Sequence, residues 1–322
     1  MAIRPESTSV TLRRDLSALV SEFDEQAANL KFIGARAAPS FPVPEQAAGY
    51  PILVRENFLK QTKTERAPDG SYNRIVSEFG KGTYDTEEHG LEHRIDDRMR
   101  RRYSTFLSSE EAATRILFWQ LVAAYEIRVA AQYSGAGMTN TNVATAWSTV
   151  ASADPVEDIV IAAQKIEDQT GTDQSQMKLI IPRADYREMV RTDAFTDQLK
   201  YTIAGDRPQI IPAALAATVL GIAEVLVAKG AKDTAIEGET ISMSQVWPSG
   251  VMYLGVLAEP GDPLEMPSAF RTFRWTADAP ELPVVESYRE ENTRSDIIRY
   301  RDDTDEAATA EVDLLMQKIT NT

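Results

Sequence analysis

The residues best placed to do chemistry are His89-Gly90-Leu91-Glu92-His93. Their H-x-x-E-H spacing is that of one class of zinc peptidase. On a helix, residues four apart share a face, so both imidazoles would reach one zinc ion with Glu92 as base. A later acid such as Glu157 would complete the ligand set. Gly90 works against such a helix, costing ~1 kcal/mol relative to Ala. These are the two histidines of the chain, and they stand among charges: Glu87, Glu88, Asp96 and Asp97, then Arg94, Arg98, Arg100, Arg101 and Arg102. The competing reading is a pair of exposed histidines in a charged connector, because a mixed charge run is ordinarily a solvated face. An ion network between subunits is the functional alternative for the same run.

Other chemistries are missing their residues. There is no cysteine, which excludes disulfides, thiolate metal sites and cysteine nucleophiles together. Ser134-Gly135-Ala136-Gly137-Met138 lacks the remainder of either phosphate-binding glycine pattern, and no Gly-x-Ser-x-Gly elbow occurs. The acidic cluster Asp302-Asp303-Thr304-Asp305-Glu306 has no glycine where a calcium loop needs one. No cofactor is expected.

A chain of 322 residues with 43% hydrophobic content has ample length for a core, in one large or two intimate domains. Its net charge of −15 repels nucleic acid and argues against a DNA- or RNA-binding protein. The same charge suits a lining that must sit near DNA without adhering to it. No apolar stretch after Met1-Ala2-Ile3-Arg4-Pro5 reads as a signal peptide, so synthesis in the cytoplasm is expected.

The elements that would position these residues are organised around one long helix, from Ser108 to about Tyr133. Ser108 followed by Glu111 is a capping box, and no Gly or Pro interrupts before Ser134-Gly135. Apolar residues cover most of its sides, so it is expected to be covered on most sides. Arg115, Gln120, Glu126 and Arg128 break the apolar run well short of the ~20 residues that a membrane span needs. Upstream, residues 1–50 read as an arm, with helical spacing over Leu12 to Leu30 and then an extended Pro-rich stretch through Pro44. Residues 51–80 read as a hairpin, with strands at Ile52 to Val54 and Tyr72 to Phe79 around the turn Pro68-Asp69-Gly70-Ser71. The polar run Lys60 to Arg66 and the lack of an apolar face on Tyr72 to Phe79 favour docking on another subunit over burial in the hairpin's own domain. Leu91, Ile95 and Met99 suggest a short helix over the histidine segment.

From Ala144 the chain alternates helix and strand. Asp154 caps a helix with Pro155 at its first position, closed at Thr170-Gly171. Met177 to Ile181, Ile222 to Val227 and Val251 to Val256 read as strands, and Arg183 to Arg191 and Pro212 to Leu220 as helices. Val284 to Arg289 and Asp296 to Arg301 are strands, and Glu306 to Ile319 reads as a terminal helix.

This order of parts resembles the major capsid proteins of tailed bacteriophages, the Hong Kong 97-type fold. Arg66-Ala67-Pro68-Asp69-Gly70 is similar to the tip of that family's extended loop. Tyr84, Gly90-Leu91-Glu92 and Ile95-Asp96-Asp97 resemble its lead-in to the spine helix. Trp147-Ser148, Asp154 to Ile159 and Thr170-Gly171 resemble the start of its axial domain, and Asp296-Ile297-Ile298-Arg299 its closing strand. The resemblance covers nearly all of residues 45–320.

It implies an α+β fold: an N-terminal arm (1–50), an extended β-hairpin loop (51–83), a peripheral domain (84–143 and 282–322) on a spine helix (108–133), and an axial α/β domain (144–281). It implies a shell subunit, not an enzyme, assembling with itself into hexamers and pentamers around double-stranded DNA. A separate scaffold, a portal and head-completion proteins would be its partners, with no membrane. The location would be the virion capsid, assembled in the bacterial host cytoplasm. Lys60, Lys63, Arg66, Asp69, Arg74, Glu78, Arg98 and Arg101 are the expected subunit-interface residues. Some family members cross-link a loop lysine to an asparagine, but no partner asparagine is matched here. The alternatives are an encapsulin-like compartment with protein cargo and the zinc peptidase using His89, Glu92 and His93.

Overall fold

The computed structural model describes residues 11–13, 15–16, 31–53, 64–66, 70–76, 79–103, 108–202, 211–236, 238–264, 266–277, 284–309 and 311–321. Its axis is the helix α3 (Ser109–Gly135), roughly 40 Å long at ~1.5 Å per residue. The Ser108 hydroxyl accepts from the Glu111 N–H at its start. The helix serves two cores in turn. Ala113, Leu117, Phe118 and Leu121 pack with Ile95, Val285, Ile298 and Tyr300. About two turns further on, Val129, Ala130 and Tyr133 enter a second and larger core.

Each core is the face of a sheet. Among the described residues the first sheet runs β1 (Thr11–Leu12), β13 (Val284–Glu290), β14 (Ser295–Ala308), β12 (Phe270–Trp275), β2 (Ser40–Val43), and β5 (Glu87–Asp96) also pairs with β14. The second runs β6 (Thr139–Asn142), β15 (Met316–Thr320), β11 (Val251–Gly255), β7 (Lys178–Pro182), β8 (Glu224–Ala228). The parallel pair β7 and β8 is joined through α5 (Arg183–Met189), α6 (Asp193–Thr202) and α7 (Ala213–Leu220). A parallel pair needs a crossover of this kind.

The helix α4 (Pro155–Thr170) covers β15 and β11. It has the expected ends: the Asp154 carboxylate accepts from the Glu157 N–H at 3.1 Å, and Gly171 closes it at φ 67°, a left-handed conformation that glycine adopts without a Cβ penalty. Ile159, Ala162, Ala163 and Ile166 are fully buried beneath it. Trp147 is buried as well, its indole N–H donating to Asp158 at 2.9 Å. A small hairpin, β9 (Ala231–Asp233) with β10 (Met243–Gln245), stands apart from both sheets.

The two cores meet at Glu126, a carboxylate with no exposed surface in the middle of α3. It accepts from the Ile33 and Gly34 N–H groups at the start of α1 (Gly34–Ala37) and from the Trp247 indole N–H at 2.6 Å. Burial pushes its carboxyl above the usual range, and the three donors pull it back in part. Next to it, Tyr125 donates to the Ala38 carbonyl at 3.1 Å. Two turns on, Tyr133 donates to the Ala37 carbonyl at 2.7 Å and stacks on Phe270 with ring centroids 3.7 Å apart. The arm segment 33–38 is thereby fixed along the spine. Gly34 is required there, because a Cβ would lie 2.7 Å from the Glu126 carboxylate.

Several expected elements differ. Residues 87–96 form a strand, not a helix; a four-residue apolar spacing also satisfies a period of two. The residues expected as a helix over Glu306 to Ile319 form the end of β14, the short helix α8 (Val312–Leu315) and β15. Met316, Gln317 and Ile319 are fully buried because β15 lies inside the second sheet, between β11 and β6. The expected boundaries therefore do not divide the sheets. Residues 139–142 and 316–320, placed with the peripheral part, belong to the second sheet, and 270–275, placed with the axial part, belongs to the first. Leu12, expected in a helix, is in β1, while residues 17–30 lie outside the described set. The Pro-rich stretch is extended as expected and pairs with its own body, β2 lying parallel to β12.

Glu126→Ala would leave three buried donors without an acceptor, each costing about 1–3 kcal/mol. A loss of about 3 kcal/mol or more in urea-denaturation stability is expected, and Gly34→Ala should lose about 2 kcal/mol by overpacking. A carboxyl whose pKa is higher folded than unfolded contributes stability that is complete below its unfolded pKa and is lost as pH rises through its folded one. The stability gap between the wild type and Glu126→Gln should accordingly narrow as pH rises above the usual carboxylate range. A gap that widens would show that the donors outweigh burial.

Candidate assembly surfaces

The histidine motif is taken apart by its secondary structure. On β5, His89 pairs with Asp302 of β14, His93 with Ile298, and Glu92 with Arg299. Side chains alternate between faces at ~3.3 Å per residue, so the two histidines stand about 13 Å apart on one face with Glu92 on the other. Glu92 is held by Arg299 at 2.8 Å and by the Tyr288 hydroxyl at 3.1 Å. Glu157 is at the start of α4, on the second core. Among the described residues no group of three His, Asp or Glu side chains is placed to hold a metal.

The expected loop begins as a two-stranded hairpin of its own, β3 (Ala47–Leu53) with β4 (Phe79–Asp85). Its legs overlap the spans read from sequence only at Ile52, Leu53 and Phe79: β3 starts earlier, β4 runs on to Asp85, and Tyr72 to Val76 is not in a strand. The base is anchored by aromatic contact. Phe273 of β12 stacks on Tyr84 at 4.8 Å between centroids and lies 5.2 Å from Tyr50. The Asp85 N–H donates to Asp305 at 3.0 Å. The Tyr50 ring lies flat over Gly82, where a Cβ would meet it at 2.3 Å. The hairpin thus leaves the body from a rigid root.

Past the root the chain presents apolar surface to solvent. Tyr72 is 74% exposed, Ile75 69%, Val76 82% and Phe79 62%. The segment, expected to have no apolar face, carries four exposed large apolar side chains whose spacing does not follow strand alternation. A set of large apolar side chains this exposed has more area than scattered surface residues ordinarily show.

Of the expected interface residues, Lys60, Lys63, Asp69 and Glu78 lie outside the described residues. Arg66 makes the local turn: its guanidinium donates to the Gly70 carbonyl at 2.6 Å and lies 4.7 Å from the centre of the Tyr72 ring. Arg74 is exposed, with no side-chain partner among the described residues. Arg98 and Arg101 are exposed on α2 (Asp97–Tyr103), far in sequence from the loop. Their neighbour Arg100 is used within the subunit, bonded to Glu110 and to Asp296 at 2.6 Å. Arg289 joins Asp97 at 2.7 Å and Asp296 at 3.1 Å. The Arg289 guanidinium holds the Asp97 carboxyl below the usual range. Part of the mixed charge run is therefore an internal ion network that ties α2 to the β13–β14 turn and the start of α3.

No protein-family model matches the chain, and no curated protein matches it in sequence. Solved structures match it in fold. A phage-related protein from Bordetella bronchiseptica superposes with a TM-score of 0.69 at 18% identity, over 97% of this chain and 97% of that one. The capsid of the cyanophage P-SCSP1u does so with a TM-score of 0.60 at 10% identity, over 88% of this chain and 86% of its own. The virus-like particle from Pyrococcus furiosus gives 0.53 at 9% identity, over 92% and 95%. With its spine helix serving two sheets and its hairpin standing out from a rooted base, the chain has the Hong Kong 97-type capsid fold.

Proposed function

We propose that this chain is the major capsid protein of a tailed phage, a prophage or a gene-transfer particle. It assembles with itself into the hexamers and pentamers of an icosahedral shell that encloses double-stranded DNA. Assembly takes place in the bacterial host cytoplasm, with a separate scaffold, portal and head-completion proteins, and the finished protein resides in the virion. The reading is carried by the extent of the fold likeness to phage capsids, which leaves no sizeable part of the chain over for a catalytic domain. The exposed apolar loop supports it, since Tyr72, Ile75, Val76 and Phe79 are covered only if another subunit covers them. The protein acts by geometry, and no residue is assigned a catalytic role. Among the described residues no helix is long and apolar enough to cross a membrane.

An encapsulin-like compartment with protein cargo is the second reading. It is favoured by the fold likeness to the virus-like particle from Pyrococcus furiosus. The charge of −15 supports the DNA container, since it limits adhesion to packaged DNA.

Replacing Lys60 to Ser77 with a short Gly-Ser linker tests the loop. Far-UV dichroism and monomer melting temperature should stay nearly unchanged, while electron microscopy should find no closed particles. A large fall in melting temperature would mean that the segment is core, and normal particles would mean that it is dispensable. Free protein should give no duplex-DNA complex in a gel-shift assay at physiological salt, for want of the counterion-release term. A sub-micromolar, salt-sensitive complex would contradict that. Metal analysis after zinc loading and desalting should find no stoichiometric zinc; zinc that is lost on His93→Ala would restore the peptidase reading.

A further inference from the structure

The helices beside the second sheet carry charge that the chain leaves unpaired. Arg183 and Arg187 are exposed four residues apart on α5, and Arg191 is exposed in the turn just past its end. On the helix that spacing puts the first two on one side, and the third continues the row into the turn. None of the three side chains has a hydrogen-bonding or ionic partner among the described residues. The acids of the same helix do not supply one. Asp185 is buried and accepts from the Gly250 N–H at 3.0 Å and the Asn321 amide at 3.1 Å, and Glu188 accepts from the same amide at 3.4 Å. Like charges at this spacing repel, so the bare row opposes its own helix unless something outside the chain meets it.

The neighbouring helices present the opposite sign. A cleft of about 260 Å³ between the starts of α4 and α6 is lined by Asp154, Val156, Glu157, Ala194, Asp197 and Gln198. Glu157 is exposed and unpaired among the described residues. Asp197 pairs only with Lys200 at 2.6 Å, and both side chains are mostly solvent-exposed, a pairing of little worth. Asp193, at the first turn of α6, adds a further exposed carboxylate.

We propose that the Arg183–Arg187–Arg191 row docks against this acidic cleft on a second copy of the chain. The inference rests on the shell reading and names the surfaces that would join subunits beside the second sheet. Two chains of charge −15 repel at a distance, so a productive encounter needs a local patch of complementary sign. Contact between unlike patches of identical chains is heterologous, and it closes into a ring when the rotation allows. A nucleic-acid phosphate backbone is the other polyanion that the row could face. The acidic residues on the adjoining helices, and the net charge behind them, oppose that occupant.

The test uses the full chain under conditions where the wild type assembles, read by sedimentation and electron microscopy, with melting temperature as the fold control. Arg187→Glu with Arg191→Glu should lower the assembled fraction about tenfold. Glu157→Arg with Asp197→Arg should do the same. Asp154 is left in place because its carboxylate caps α4. Combining all four substitutions should restore most of the assembly, a recovery that a merely structural role would not give. The milder Arg187→Gln with Arg191→Gln should make assembly weaker and less sensitive to salt, and it serves if the reversed charges prevent folding. Unchanged assembly in either folded pair variant would overturn the proposal, as would failure of the fourfold variant to recover. So would arginine variants that assemble normally but lose retained DNA, because the row would then face phosphate. A wild type that stays monomeric with its scaffold present would overturn the shell reading and this inference with it, a result told apart by the control alone.

Discussion

The structure depends on a carboxylate in an unfavourable place. Glu126 has lost all its water, and a lone buried carboxylate would cost several kcal/mol. It is tolerated because three N–H groups converge on it from parts of the chain far apart in sequence. Two belong to the arm at Ile33 and Gly34, and one to Trp247 near the second sheet. The spine helix supplies the acceptor. A hydrophobic contact at this point would hold the parts together without fixing their angles. Three directed bonds to one small group fix position and orientation together, and the tyrosines at 125 and 133 extend the same grip along the arm.

This junction explains why the two sheets behave as one body. A helix that passes from one core to another is a lever as well as a strut, because a tilt imposed at Leu117 reaches Tyr133. Tyr133 is boxed by Phe270, Trp247 and Tyr253, and Phe270 begins the strand that pairs with β14 and β2 in the other sheet. Strand β12 thus starts against the second core at Phe270 and continues as part of the first sheet, where Phe273 packs with Val43 and Tyr84. The hairpin is rooted on the same strand through Phe273, so the projecting loop inherits its direction from the body and not from a flexible linker.

Much of this was legible in the residues where local chemistry decides conformation. Ser108 with Glu111, and Asp154 with Pro155 and Gly171, announce helix ends because they satisfy backbone groups within a few residues. The errors fall where partners distant in sequence decide. Leu91 and Ile95 fit a helix and a strand equally, and pairing with β14 makes them strand, while Met99 lies in the helix α2 that follows. Glu306 to Ile319 reads as a helix, yet only Val312–Leu315 is one, and the backbone of residues 316–320 is taken up by β11 and β6. The loop shows the limit for a site: its charged residues were noticed because charge stands out, whereas Tyr72, Ile75, Val76 and Phe79 passed as strand-formers. Apolar residues are ordinarily read as interior, and nothing local says that these four face outward. The carboxylate at 126 looked like an interruption of an apolar run, and its three donors are invisible until the chain is folded.

Strand β15 carries a further implication, for the order of events during synthesis. It follows every other described strand in the chain, yet it sits inside its sheet with β11 on one side and β6 on the other. While residues 316–320 are still within the ribosome, β6 has no neighbour, and α4 has no complete surface to cover. A chain without residues 316–320 retains every described strand of the first sheet but cannot close the second. A chain that stops short of residue 316 would lack that sheet's interior strand, and so would lack the frame on which α4, α5 and α6 are set. The last described strand is therefore the one on which closure of the second sheet waits.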